Sequence, residues 1–93
     1  MPKIATYQFL TFFIYIYDVF NEPPHLHITK QKGNYNRPCK IWLETLEIAE
    51  VGDFTEKELN LIEKLVKKNK EILIKAFTDT RNGERNKAIK LKL

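Results

Sequence analysis

Phe9-Leu10-Thr11-Phe12-Phe13-Ile14-Tyr15-Ile16-Tyr17-Asp18-Val19-Phe20-Asn21-Glu22-Pro23-Pro24-His25-Leu26-His27-Ile28 is the stretch whose reading decides the fold. Its first half, Phe9 to Tyr17, is dense in aromatic and β-branched residues, the composition of a buried strand. In its second half Leu26 and Ile28 alternate with His25 and His27, so the two imidazoles share one face of another strand. Asp18, Asn21 and Glu22 supply turn chemistry between the halves, and Pro23-Pro24 stiffens the corner. The expectation is a rigid corner that sends both imidazoles outward, side by side, roughly 6.5–7 Å apart along the strand.

Working outward, apolar side chains on both faces make the first run a central strand, from about Leu10 to Tyr17. Met1 to Gln8 reads as a short lead anchored by Ile4 and Tyr7. The second strand fades beyond Lys30 into the polar segment Gln31-Lys32-Gly33-Asn34, a hairpin loop. A third strand covers Asn36 to Glu44, with Cys39, Ile41 and Leu43 alternating against Lys40, Trp42 and Glu44. Residues 45–51 give another short alternating piece, with Leu46, Ile48 and Val51 inward, and Gly52-Asp53 closes the sheet.

Thr55-Glu56-Lys57-Glu58 is a capping box, and Phe54 before it can staple onto Leu59. Leu59, Ile62, Val66, Asn69, Leu73, Ala76 and Phe77 then recur at spacings of three and four, the stripe of one long amphipathic helix. It ends near Thr78 to Arg81, with Asn82-Gly83 as a left-handed stop. About 24 residues make a helix ~36 Å long, enough to cross a small sheet. Lys57, Lys64, Lys68 and Lys75 line its outer side as a solvated face, the alternative reading being a basic ridge for phosphates. Lys87-Ala88-Ile89-Lys90-Leu91-Lys92-Leu93 alternates strictly, the pattern of a strand added to an edge or paired with another chain. The expected fold is therefore α+β: three or four mainly antiparallel strands packed by one long C-terminal helix, with a short basic tail strand. Residues 1–83 form the single domain and 84–93 the tail.

The 93 residues carry a net charge of +4. Five basic residues and one acidic lie from Arg81 onward, and the 11 basic and 11 acidic residues before it cancel. A neutral body with a basic tail is a poor match for a protein that spreads a basic patch over its folded face for nucleic acid. One cysteine, Cys39, permits no internal disulfide and fits a reducing compartment; it reads as a small apolar filler. The apolar run is too short to span a bilayer and lacks a cleavage site after it, so a cytoplasmic protein with no membrane partner is expected.

No phosphate-binding loop, dinucleotide fingerprint, zinc spacing or nucleophile elbow is present, and no cofactor is expected from motifs. The chemistry reduces to His25 and His27. They could grip one divalent metal with Glu22 as third ligand, Asp18 and Glu44 being further candidates. They could also serve as general base and acid in metal-independent cleavage of RNA. Lys30, Arg37 or Lys40 would then hold phosphate, and Tyr15, Tyr17 or Trp42 would stack bases, with Tyr15 and Tyr17 on one face of the first strand. The third reading is structural: both rings satisfy turn backbone or carboxylates beside a protein-contact surface.

Met1-Pro2-Lys3-Ile4, Ile14-Tyr15-Ile16-Tyr17, Glu22-Pro23-Pro24-His25-Leu26-His27, Trp42-Leu43-Glu44-Thr45-Leu46-Glu47 and the long closing helix together resemble the bacterial domain of unknown function 4160 family. The resemblance runs over roughly residues 1–78, and the Pro-Pro-His-x-His corner is its most specific part. It implies a prokaryotic cytoplasmic α+β protein, often encoded beside a second small protein in a toxin–antitoxin-like pair. It transfers no catalytic residue. The family's usual aspartate-histidine pair ahead of the prolines is Asn21-Glu22 here, which weakens both enzyme readings. The function expected is a small binding module that works with a partner protein or a second copy of itself, a homodimer through the edge strand or tail. Ribonuclease action by His25 and His27, or a metal at the same corner, is the alternative.

Overall fold

In a computed structural model the described residues of the chain form a six-stranded sheet, a 3-10 turn and two helices. The structure describes residues 2–30, 37–84 and 87–93; the Tyr17 side chain and the loop expected at 31–34 lie outside the described residues. In chain order the elements are β1 (Lys3–Tyr7), β2 (Leu10–Phe13), the 3-10 turn Ile16–Phe20, β3 (His25–Lys30), β4 (Cys39–Trp42), β5 (Ile48–Glu50), α1 (Glu56–Lys68), α2 (Lys70–Arg81) and β6 (Ile89–Lys90). The sheet order is β5-β4-β3-β2-β1-β6. Every neighbouring pair is antiparallel except β1 with β6, which is parallel.

The sheet is thus larger and more mixed than the three or four strands expected. The residues read as a lead are β1, with Ile4 and Ala5 buried. Tyr7 faces Leu10, so Gln8 and Phe9 alone make the hairpin turn. Gln8 takes φ 50, a left-handed conformation that usually calls for glycine or asparagine, and for that reason the turn has no sequence signature. Leu46 at φ 65 likewise breaks the expected strand over 45–51, leaving Ile48–Glu50, with Val51 exposed rather than inward.

The expected single helix is two. Its start is as read: the Thr55 hydroxyl accepts from the Glu58 amide at 3.2 Å, and Glu58 Oε1 accepts from the Thr55 amide at 2.8 Å. The break falls at Asn69, whose φ of −111° and ψ of 20° leave the helical range. Its side-chain amide donates to Leu65 O at 2.8 Å and to Lys92 O at 3.1 Å. A short polar side chain competing for a helix carbonyl is a known cause of bending, and here it also ties the helix pair to the tail. Loss of the cap in Thr55→Ala is expected to cost about 1 kcal/mol, read as a lower urea midpoint with an unchanged slope.

One apolar cluster joins Phe12, Leu26, Ile28, Cys39 and Ile41 of the sheet to Ile62, Leu65, Val66, Leu73 and Phe77 of the helices. Leu91, just past β6, closes onto it, and its amide donates to Thr6 O. Cys39 sits in this cluster, and burial, helped by the Glu50 and Glu63 charges, pushes its thiol up to about 12. It is a filler and not a nucleophile. Among the described residues no helix is long and apolar enough to cross a membrane.

Candidate metal centre

The other face of β2, β3 and β4 carries the unusual side chains. Register sets Phe13 opposite His27, His27 opposite Lys40, and His25 opposite Trp42. The Pro23-Pro24 corner feeds straight into this ladder, since the Leu43 amide donates to Pro24 O. After Phe13 the chain leaves the sheet and coils into the Ile16–Phe20 turn, which carries Asp18 back over the histidines. Arg81 of α2 holds that turn in place, donating from Nε to Val19 O at 2.9 Å.

The two rings meet edge to face, with centroids 5.3 Å apart. They share a face as the alternation requires, but they do not point outward: His25 is 0% and His27 6% exposed. Phe13 stacks on His27 and Tyr15 meets it edge-on at 4.6 Å, while Trp42 and Phe77 flank His25. Alternation within a strand reports which side a residue takes, not what a distant turn will lay over it.

His25 Nδ1 lies 2.9 Å from Pro23 O. A carbonyl has no proton to give, so Nδ1 carries the hydrogen, and it is Nε2 that is turned toward the carboxylates. His25 Nε2 lies 3.8 Å from Asp18 Oδ2 and 3.6 Å from Glu22 Oε2. His27 Nε2 lies 3.6 Å from the same Asp18 oxygen. These separations exceed hydrogen-bond reach, and His25 Nε2 and both nitrogens of His27 are buried with no hydrogen-bond partner among the described residues. One ligand atom from each of Asp18, His25 and His27 falls within 4.8 Å of the others.

Burial, the nearby His25 and the Lys40 charge hold His27 below its ordinary value of 6.5, against a smaller opposite pull from Asp18. Between that lowered value and 6.5 the unfolded chain binds more protons than the folded one, so stability rises with pH through this window and falls on acidification. Denaturation in chelator from pH about 7.5 to about 5.5 should show a falling midpoint that His27→Leu abolishes. Glu22 acts in a lower window. The hydrogen bond from Lys40 holds its carboxyl below 4.5, so its contribution is lost only as pH falls past that lowered value.

The structure gathers Asp18, Glu22, His25, His27, Lys40, Tyr15 and Trp42 at one place, and leaves others elsewhere. Asp18 completes the close trio. Glu22, the third ligand read from sequence, stands near His25 alone, its Oε1 taken by Lys40 Nζ at 2.7 Å. Lys40 is buried rather than offered to solvent, with its ammonium 4.5 Å from the Trp42 ring centre. Arg37 lies at the far end of β4, bonded through Nε and its amide to Asp53. Lys30 pairs with Glu58, and Glu44 is exposed, its carbonyl accepting from Lys70. Tyr15 and Tyr17 lie past the end of β2, on the coil and the 3-10 turn, and not on the strand expected to carry them. Phe13 and Phe77, whose rings pack against His27 and His25, are residues that sequence reasoning missed; the register pairing of Phe13 with His27 identifies the first.

The family described as Domain of unknown function (DUF4160) matches residues 10–78, a span that contains every residue of this cluster and excludes β1 and β6. No curated protein and no solved structure matches the chain.

Proposed function

We propose, for a chain that belongs to the DUF4160 family, that it binds one divalent transition-metal ion through Asp18, His25 and His27. The observation that carries this reading is that His25 Nε2 and His27 Nε2, both buried with no hydrogen-bond partner among the described residues, converge on one oxygen of Asp18. A buried polar atom left unpaired costs about 1–3 kcal/mol, and a bound cation removes that cost at the two Nε2 atoms together. The Nδ1–H of His25 on Pro23 O is the outer contact that metal-bound histidines characteristically make. Donors about 2.0–2.1 Å from a tetrahedral ion lie ~3.4 Å apart; the two Asp18 contacts, at 3.6 and 3.8 Å, are close to this, and the His25–His27 edge lies within 4.8 Å. Two imidazoles and a carboxylate suit Zn2+ and its neighbours and leave a coordination position open.

Metal-free cleavage of RNA by the histidine pair is less well supported, because it needs both imidazoles open to a polymer, and His25 is fully covered. Zn2+ titration followed by calorimetry tests the metal reading: one ion per chain is expected, with binding lost in Asp18→Asn. No heat of binding, or equal binding by Asp18→Asn, would overturn it.

A second function, contact with a partner protein in a toxin–antitoxin-like pair, is favoured by a separate observation. Ile16 and Phe20, on the turn that carries Asp18, are 52% and 68% exposed. Co-expression with the product of the adjacent gene should give a complex that Phe20→Asp dissociates; a complex indifferent to Phe20→Asp would place the contact elsewhere.

A further inference from the structure

Lys40 is a cation set beside a candidate cation site. Its residue is 8% exposed, its Cα faces that of His27 across the β3–β4 ladder, and its ammonium lies over the Trp42 ring. A purely structural metal centre gains nothing from a buried ammonium next to it, because like charges repel more strongly as the surroundings become less polar. Glu22 explains part of the arrangement. Its Oε1 accepts from Lys40 at 2.7 Å, while its Oε2 lies 3.6 Å from His25 Nε2. With a divalent ion in place, the ammonium and the metal together outweigh the two carboxylates of Asp18 and Glu22 by one positive charge. Glu22 is also the side chain of this group with the most freedom to move aside, 30% exposed against 11% for Lys40.

We propose, resting on the metal reading above, that the open metal position and Lys40 together bind an oxyanion of the phosphate or carboxylate kind. Glu22 is its internal stand-in: its carboxylate occupies Lys40 until the incoming anion bridges Lys40 and the metal. Trp42 and the β-sheet register fix Lys40 at the required side, opposite His27. An ammonium and a metal ion on the same face of a sheet are the kind of donors that hold charged oxygen.

The test uses the full chain loaded with Co2+, with inorganic phosphate and acetate as probes. Broadening of the phosphate phosphorus resonance and changes in the Co2+ visible spectrum report the contact. The metal-loaded wild type should bind phosphate or acetate, and the metal-free protein neither; which anion binds tells a phosphoryl from a carboxylate ligand. Lys40→Met should weaken anion binding about tenfold or more, with Lys40→Arg retaining it. Glu22→Gln, which removes the competing carboxylate, should tighten it. The double variant Lys40→Met/Glu22→Gln removes both charges together and guards against misreading an orphaned Glu22. Co2+ binding with no anion contact, or anion binding indifferent to both Lys40→Met and the double variant, would overturn the anion site alone. A wild type that takes up no Co2+ would overturn the metal reading and this one with it.

Discussion

Zn2+ at about one hundred times its dissociation constant is expected to stabilise the wild-type protein by about 2.7 kcal/mol, the amount mass action requires of a ligand that binds only the folded state. His27→Leu should lose that stabilisation entirely. The metal-free variant should be at least as stable as the metal-free wild type, because leucine replaces a ring whose two buried nitrogens have no hydrogen-bond partner among the described residues. The two results together distinguish a ligand from a core histidine. A histidine retained for packing would make the variant less stable in chelator and would leave Zn2+ without effect on either protein. Thermal melts of both proteins, with Zn2+ and with chelator, give all four values.

Phe77→Ala is expected to have the largest effect on folding. The ring is fully buried, its centroid lies 5.5 Å from that of His25, and the Arg81 guanidinium covers it at 5.1 Å. Truncating a buried phenylalanine costs about 3–5 kcal/mol, against a total stability of about 5–15 kcal/mol for a small domain. The site should suffer as well, since Phe77 backs His25 and Arg81 tethers the Asp18 turn. Phe77→Leu keeps most of the volume and should cost less than about 1.5 kcal/mol. Urea midpoints with unchanged slopes check both values, and Zn2+ affinity measured on Phe77→Leu shows how far the second layer positions His25.

Much of the fold was legible wherever a local rule decides it. The Thr55–Glu58 box starts α1 as its spacing requires, and Gly83 at φ 80 follows α2 where a left-handed stop was expected. Alternation at Leu26, His27 and Ile28 correctly separated the two faces of β3, and the run beginning at Leu10 lies centrally in the sheet. Legibility ended where one residue took an unusual conformation for reasons lying elsewhere. Gln8 turns a hairpin without turn chemistry, and Asn69 interrupts a continuous apolar stripe to bond Leu65 O and Lys92 O. The candidate site was half legible. The histidine pair and its rigid corner stood out, but the carboxylate that completes the trio depends on how the chain returns after Phe13. Asp18 and Glu22 are equally good ligands by type; a five-residue 3-10 turn places the first over both rings, and Lys40 occupies the second. The outward-facing imidazoles failed for the same reason, because the turn, Tyr15 and Trp42 cover a face whose pattern alone looks exposed.

X-ray absorption at the zinc edge of the loaded protein tests the metal centre most directly. The expected first shell holds two imidazole nitrogens and carboxylate oxygen at about 2.0–2.2 Å, and His27→Leu should retain no zinc under the same loading. A shell of oxygen alone, or a spectrum that His27→Leu leaves unchanged, would contradict it.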